Sequence, residues 1–287
     1  MAVLAAAIVA VVLVARGGDG GGPSATLGAA GDGAALRGPA ASADAPGATT
    51  TGRSTPTPPA GRGDALPATA RNGLACRAPA DGAVLVRNGA RTGARRVALT
   101  FDDGPTIHTG PTLDALRRAK VRATFFVLGR QIKPNRALVR RIVTDGHALG
   151  SHTWSHEDVS RGDAVVDQQM NDTQYAIQLA VGRAGCLMRP PGGAVGPGLE
   201  RWLARHRKLG VLWDVDSGDF RGRSTDAMVR DIVDGSRTGS IILMHDGGGD
   251  RRATVAAIPG IVRGLRARGF TFVTVPELLG LDGARPG

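Results

Sequence analysis

Five short stretches of this sequence place acids, imidazoles or a guanidinium directly after a run of apolar residues. Their polar residues are Asp102 and Asp103 in "TFDDGP", His152 and His156 in "SHTWSH", Arg189 in "RPPGG", Asp216 and Asp219 in "WDVDSGDF", and His245 and Asp246 in "LMHD". Carboxylates and neutral imidazoles bind divalent metal ions, and both groups also transfer protons. If the fold brings these residues together, the chemistry that they suit best is metal-assisted hydrolysis.

The elements that carry these residues follow a repeating pattern of strand and helix. The strand candidates are residues 96–101, 122–129, 147–152, 186–189, 210–216, 240–245 and 270–275, and segments with helical spacing lie between them. Such alternation predicts an α/β fold with a mostly parallel sheet. The carboxyl ends of parallel strands lie on one face, where such folds bind their ligands. Seven strands suit either an open doubly wound sheet or a barrel, and no G-x-G-x-x-G follows the first strand.

His152 and His156 have the spacing at which two imidazoles on a helix or in a tight turn share one metal ion. A carboxylate from another strand end would complete a set of two histidines and one aspartate, with positions left open for water and substrate. Ligands of nitrogen and oxygen alone predict Zn2+, with Co2+, Ni2+ or Fe2+ as alternatives. Taken alone, the histidine pair is also compatible with a surface coincidence, and "DDGP" with a plain turn.

The two adjacent aspartates indicate a division of labour. One carboxylate binds the metal ion, and its neighbour stays free to take a proton from the attacking water. His245 is the candidate general acid, because an imidazole with a pKa of about 6.5 can protonate a leaving group at neutral pH. The preceding "SIILM" would hold this histidine on a rigid, buried strand.

The N-terminal part of the chain differs in composition from the rest. The sequence begins with "MAVLAAAIVAVVLVA" followed by Arg16, which predicts a signal peptide or signal-anchor over residues 1–16. Residues 17–72 are rich in Gly, Ala, Pro and Thr and predict a flexible, disordered linker. The folded domain is therefore expected at residues 73–287 of an exported protein, membrane-tethered on the outer face or secreted. In such an oxidising compartment Cys76 and Cys186 either form a disulfide or remain two buried thiols.

The charge of the chain suits an anionic partner. The net charge is +11, from 36 Lys and Arg against 25 Asp and Glu, and such a surface attracts nucleic acid, a membrane surface or an acidic wall polymer. No block of basic residues is interleaved with aromatic ones, so we expect no nucleic-acid partner. We expect a monomer that meets the membrane only through its N-terminal segment.

The five motifs resemble, in order and approximate spacing, those of the polysaccharide deacetylases, the NodB-homology proteins of carbohydrate esterase family four. The resemblance covers about residues 94–280. It implies a distorted (β/α) barrel of about seven parallel strands and metal-dependent removal of acetyl groups from an N-acetylated sugar polymer. The implied roles are general base for Asp102, metal ligand for Asp103, His152 and His156, positioning of the base for Arg189, orientation of the acid His245 for Asp219, and lining of the acetyl pocket for Leu243.

Two positions depart from the commonest pattern of that family. Gly192 stands where Tyr is usual, which keeps the backbone N–H that stabilises the oxyanion but removes a ring that walls the groove. Phe220 replaces the usual Trp and leaves a smaller apolar wall. The remaining histidines match no family ligand and are expected to be ordinary structural or surface residues; they are His108, His147 and His206.

The expected location favours an envelope substrate, with peptidoglycan N-acetylglucosamine as the first choice and acetate as the product. One alternative has the same fold and the same catalytic residues but another substrate: a chitooligosaccharide deacetylase or an acetylxylan esterase. A non-catalytic glycan-binding protein of the cell wall is the alternative of a different class.

Overall fold

The computed structural model describes residue 76 and residues 84–91, 93–160 and 162–281. The predicted apolar segment 1–16 and linker 17–72 lie outside the described residues. The strands are β1 (Leu85–Val86), β2 (Arg96–Asp102), β3 (Thr124–Val127), β4 (Ala148–Ser151), β5 (Leu187–Met188), β6 (Leu209–Val211), β7 (Val215–Asp216), β8 (Ile241–His245) and β9 (Thr271–Phe272). The helices are α1 (Thr109–Ala119), α2 (Gly129–Ile132), α3 (Arg136–Thr144), α4 (Asp163–Val181), α5 (Pro197–Arg205), α6 (Thr225–Gly235), α7 (Arg252–Ala267) and α8 (Val275–Leu278). Within the described ranges, no helix combines the length and the apolar character needed to span a membrane.

The strands form one parallel sheet in the order β1-β6-β5-β4-β3-β2-β8-β7, with β9 beside β2. β6 and β7 lie near opposite ends of this order, although only residues 212–214 separate them in the chain. Within this connection, the Leu212 N–H donates to the Val86 carbonyl and the Asp214 N–H donates to the Ile241 carbonyl. The sheet therefore curls until its two ends meet. The predicted distorted (β/α) barrel is confirmed.

The number of strands differs from the predicted seven, because the described residues contain nine. Residues 210–216 were predicted as one strand but form β6 and β7 with a break between them. The break arises where the Asp214 carboxylate accepts the Ile241 N–H at 2.7 Å and the Ser240 hydroxyl at 3.0 Å, which carries the chain across to β8. β1 was not predicted, since two residues are too few for a periodic pattern to appear.

Side chains of β2 alternate between two layers, as a pleated strand requires. Leu99 and Phe101 pack in a hydrophobic cluster with residues of the surrounding helices, among them Leu116 of α1. Thr100 and Asp102 point the opposite way, into the barrel, where both accept hydrogen bonds from one buried arginine. The inner face of β2 is therefore the face that carries polar chemistry.

The neighbouring strand β8 repeats this arrangement. Ile242 and Met244 pack in the same hydrophobic cluster as Leu99 and Phe101. Because side chains alternate along a strand, Leu243 and His245 point into the barrel. The parallel register pairs Asp102 with His245. Two adjacent strands thus end with an acid and an imidazole side by side at the carboxyl rim of the barrel.

A disulfide joins Cys76 to Cys186 across a sequence separation of 110 residues. Cys186 is buried directly before β5 and belongs to a hydrophobic cluster that also contains Leu187. Cys76 packs against this cluster. The sequence left this pairing open between a disulfide and two free thiols. The bond fastens Cys76 to the start of the strand that leads to Arg189.

Replacing both Cys76 and Cys186 with Ser should lower the free energy of unfolding by about 2–4 kcal/mol, because a cross-link over a long loop restricts the unfolded chain. Urea unfolding of the oxidised wild type and of the double variant measures the difference. Reductant should lower the midpoint of the wild type and leave that of the double variant unchanged. Equal midpoints for the two oxidised proteins would contradict a stabilising role.

Candidate active site

The two aspartates at the end of β2 face different partners. Asp102 is almost fully buried, and its Oδ1 accepts a hydrogen bond from Nη1 of Arg189 at 2.8 Å. Asp103 lies in the left-handed region of backbone conformation, with φ of 72°. Its Oδ1 is 3.5 Å from Nε2 of His152 and 3.5 Å from Nε2 of His156. One carboxylate therefore meets a guanidinium, and the other meets two imidazoles.

The side chains of Asp103, His152 and His156 fit a divalent metal ion. Their ligand atoms lie within 4.8 Å of one another. A tetrahedral ion with bonds of about 2.0–2.1 Å separates neighbouring ligand atoms by roughly 3.4 Å, close to the separations observed here. Among the described residues, Asp103 Oδ1 is buried without a hydrogen-bond partner, a condition that native proteins rarely leave uncompensated. Two nitrogens and one carboxylate oxygen are also the donor set expected from the sequence.

The environment of His152 determines which ring nitrogen faces this cluster. Nδ1 lies 2.8 Å from the carbonyl oxygen of Arg189. A carbonyl can only accept, so Nδ1 carries the proton. Burial lowers the pKa of His152 to about 3, which keeps the ring neutral. Its Nε2 is thus unprotonated and directed at Asp103, as a metal ligand requires, whereas His156 lies at the rim with 45% of its side chain exposed.

Arg189 is fully buried and holds Asp102 in place. The guanidinium also donates to the Thr100 hydroxyl at 2.7 Å and to the carbonyls of Val211 and Leu212 at 2.9 and 3.2 Å. Burial raises the pKa of Asp102, and the attraction of Arg189 opposes this rise without cancelling it. The carboxylate is consequently a stronger base than an ordinary aspartate.

His245 is oriented by Asp219, which lies after β7. Nδ1 of His245 is 2.7 Å from Asp219 Oδ1, and the His245 backbone N–H donates to Oδ2 at 2.8 Å. Burial lowers the pKa of His245, but the hydrogen bond to Asp219 and the attraction of Asp102, Asp219 and Asp103 outweigh it, so the pKa is raised overall. With Nδ1 bound to a carboxylate, Nε2 is the nitrogen left to meet a substrate.

Three residues predicted to line the site differ in their surroundings. Leu243 is buried on the inner face of β8, two positions before His245. Phe220 is 49% exposed, and its ring centroid lies 5.7 Å from that of His245. Gly192 occupies a 3₁₀ turn after β5 with φ of 60°, and a Cβ there would meet no atom within 4 Å. Phe220 therefore forms a wall beside the candidate acid, whereas the space at Gly192 is open.

The other histidines do not join the cluster formed by Asp103 and its two imidazoles. His147 is buried, and burial lowers its pKa to about 4. His206 stacks on Trp202 with ring centroids 4.4 Å apart. His108 faces Asp250, with Nε2 3.8 Å from Oδ1. These three rings therefore lie outside the group of side chains that converge at Asp103 in the described part of the chain.

Two residues that support the site were given no role on sequence grounds. The Thr254 hydroxyl of α7 donates to Asp219 Oδ2 at 2.9 Å, a contact between residues that no motif connects. Asp246 is buried, accepts a hydrogen bond from the Thr109 hydroxyl, and has a pKa that burial raises to about 7. Its backbone N–H donates to the Asp102 carbonyl at 3.0 Å. The position of Asp246 inside "LMHD" was the one available signal for it.

Several known proteins are similar to this chain in sequence. Residues 89–211 match the family model described as polysaccharide deacetylase. A peptidoglycan-N-acetylglucosamine deacetylase of Listeria monocytogenes is 37% identical over 189 residues, which are 65% of this chain and 39% of that protein. A chitooligosaccharide deacetylase of Sinorhizobium fredii is 36% identical over 199 residues, covering 65% of this chain and 93% of that protein. This chain belongs to the polysaccharide deacetylase family.

The fold of this family member also matches a solved structure. A crystal structure of a peptidoglycan N-acetylglucosamine deacetylase superimposes with a TM-score of 0.68 and 32% sequence identity, covering 71% of this chain and 97% of that chain. The chain thus spans nearly all of that crystallised protein but only 39% of the Listeria relative.

Replacing Asp103 or His156 with Ala should weaken divalent metal binding by more than the roughly 10–100-fold typical of losing a residue that merely orients a ligand. Each variant removes one of three side chains that converge on a single point. Titration calorimetry with Zn2+ and Co2+ measures the effect. The His108→Ala variant, which removes an imidazole outside the cluster, should bind both ions like the wild type. Wild-type affinity in the Asp103 or His156 variant would contradict the proposed ligand set.

Proposed function

We propose that this protein is a metal-dependent hydrolase that removes N-acetyl groups from peptidoglycan N-acetylglucosamine and releases acetate. The observation that carries the proposal is the cluster of Asp103 and two imidazoles, whose geometry fits a divalent metal ion, beside the buried carboxylate of Asp102. The imidazole of His245, bound to an aspartate, lies on the adjacent strand. The names of the Listeria relative and of the superimposed crystal structure support the substrate. We propose Zn2+ as the ion, with Co2+, Ni2+ or Fe2+ as alternatives for the same donors.

The first half of the reaction depends on Asp102. A cation held by Asp103, His152 and His156 would polarise the acetamide carbonyl and lower the pKa of nearby water. Arg189 holds Oδ1 of Asp102, while Oδ2 faces the cluster, 3.8 Å from Nε2 of His152. Oδ2 is therefore placed to accept the proton of the attacking water, and the raised pKa of Asp102 favours that transfer.

The second half depends on His245, which protonates the departing sugar nitrogen through Nε2. Asp219 stabilises the imidazolium and fixes the ring by holding Nδ1. The backbone N–H of Gly192 is assigned to the oxyanion. Leu243 would contact the acetyl methyl group, and Phe220 would form the wall beside it. Acetate and a sugar with a free amine are the products.

Other substrates suit the same catalytic residues. One is a chitooligosaccharide, the substrate in the name of the Sinorhizobium relative, and another is the O-acetyl ester of xylan. A non-catalytic protein that binds cell-wall glycans is the alternative of a different class, and the presence of ligands, base and acid together argues against it. Acetate release from peptidoglycan, chitooligosaccharide and acetylxylan, each with and without a chelator, separates these functions.

We propose that the protein acts outside the cytoplasm, either tethered to the membrane or secreted. The apolar sequence of residues 1–16, the composition of the linker 17–72 and the disulfide between Cys76 and Cys186 support this location. We also propose a monomer that meets the membrane only through its N-terminal segment. Cell fractionation followed by immunodetection tests the location, and light scattering tests the oligomeric state.

The Asp102→Asn and His245→Ala variants should each bind Zn2+ and yet release acetate about 10²–10⁴-fold more slowly, because each loses one proton-transfer group. Calorimetry measures the binding, and an acetate assay on peptidoglycan measures the reaction. The His206→Ala variant should retain both properties. Near wild-type acetate release from either of the first two variants would refute the assigned roles.

The Asp219→Asn variant should shift the alkaline limb of the kcat/KM pH profile to lower pH. The proposed acid must be protonated, and Asp219 helps to raise the pKa of His245, so removing this carboxylate lets His245 lose its proton at lower pH. The acid limb, which reports Asp102, should move in the same direction by less, since Asp219 is a minor influence there. An alkaline limb that stays in place or moves upward contradicts the assignment.

A further inference from the structure

The turn that carries His152 and His156 is held by a side chain from a different element, Gln169 of α4. Gln169 is buried, and its Oε1 accepts the backbone N–H groups of Trp154 and Ser155, both at 2.9 Å. Its Nε2 donates to the Ser155 hydroxyl at 2.8 Å. A single amide thus satisfies three polar groups between the two imidazoles.

The backbone of this turn is unusual. Thr153 and His156 both have φ of 69°, in the left-handed region that is costly for residues other than glycine. Such a conformation persists where surrounding contacts over-determine it. The His152 N–H donates to the Val127 carbonyl, and the His156 N–H donates to the Thr153 hydroxyl. The N–H groups of Trp154 and Ser155, in the middle of the turn, donate instead to Gln169 of α4.

A second contact holds the opposite side of the turn. The carbonyls of Thr153 and Trp154 accept hydrogen bonds from the N–H groups of Gly129 and Arg130, at 2.9 and 3.1 Å. The Trp154 ring lies so close to Gly129 that a Cβ there would clash with it. The turn is therefore clamped between the start of α2 and the Gln169 side chain.

We propose that Gln169 is a positioning residue for the metal site, because its amide oxygen fixes the peptide groups that set the separation of the His152 and His156 imidazoles. The His152 ring has an independent hold on the carbonyl of Arg189, so His156 is the ligand that depends more on Gln169. The inference rests on the proposed metal-binding function of Asp103 and the two histidines.

The proposal depends on the hydrogen-bond acceptor of the side chain at position 169. Two substitutions with side chains of similar length distinguish the effect of the acceptor from the effect of side-chain size. Gln169→Glu retains an acceptor for both N–H groups, whereas Gln169→Met offers none. The Met side chain leaves the buried N–H groups of Trp154 and Ser155 without their partner. A matched control is Ile177→Val, which alters a buried residue of the same helix whose apolar side chain makes no hydrogen bond to the turn.

The test is the Zn2+ dissociation constant, measured by competition with a chromophoric chelator for the wild type and the three variants. We expect Gln169→Met to weaken binding by about 10–100-fold, as is typical when a ligand loses the group that orients it. Gln169→Glu should keep most of the wild-type affinity, and Ile177→Val should keep all of it. Wild-type affinity in Gln169→Met, or equal weakening in Ile177→Val or Gln169→Glu, would overturn the proposal.

A second measurement needs no metal ion. In the metal-free protein, hydrogen exchange at the Trp154 and Ser155 amides should be faster in Gln169→Met than in the wild type and in Ile177→Val. Unchanged protection in Gln169→Met would overturn the proposal, whereas a wild type that binds no divalent ion would refute the proposed function instead. If Gln169→Met does not fold, Gln169→Asn, which withdraws the amide by one methylene, replaces it under the same criteria.

Discussion

The Arg189 guanidinium lies without solvent contact inside the barrel, where an unpaired charge would cost several kcal/mol. Four of its N–H groups find oxygen acceptors on two other strands or their ends, at Thr100, Asp102, Val211 and Leu212. The ring of Phe126 lies 4.3 Å from the guanidinium carbon and adds a cation–π contact. These partners come from β2, β3 and the end of β6, so the strands must keep their relative positions for the cation to stay satisfied. The carbonyl of Arg189 also accepts a hydrogen bond from His152, which links the candidate base to a candidate metal ligand.

Burial penalises the charged forms of Asp102, His152 and His245, yet these groups end in different states because their partners differ. The pKa of His152 falls to about 3, because burial outweighs the attraction of Asp103 and the hydrogen bond to the Arg189 carbonyl, both of which raise it. The pKa of His245 rises, since carboxylates surround it. The pKa of Asp102 rises despite its guanidinium partner. A neutral ligand, an acid and a base can therefore occupy one small region at the same pH.

The sequence predicted which polar strand ends come together, because parallel strands bring their carboxyl ends to one rim whatever the details of packing. It did not predict the break at residues 212–214, since "GVLWDVD" has the composition of one continuous strand and the break depends on hydrogen bonds to distant residues such as Ile241. Gln169 was missed for a similar reason. A glutamine in an amphipathic helix has no periodic signal of its own, and its partners, Trp154 and Ser155, meet it only in the folded chain.

The connection between β6 and β7 contacts both the buried Arg189 and the strand β8. The Leu212 carbonyl accepts a hydrogen bond from Arg189, the Trp213 ring lies 5.5 Å from the same guanidinium, and Asp214 binds the Ile241 N–H. Connections between strands commonly vary in length among relatives, because most of them only cross the surface. Adding or removing one residue here would displace a buried cation and the seam of the barrel together. Insertions among homologues should therefore accumulate in other loops of this rim, while this three-residue bridge keeps its length.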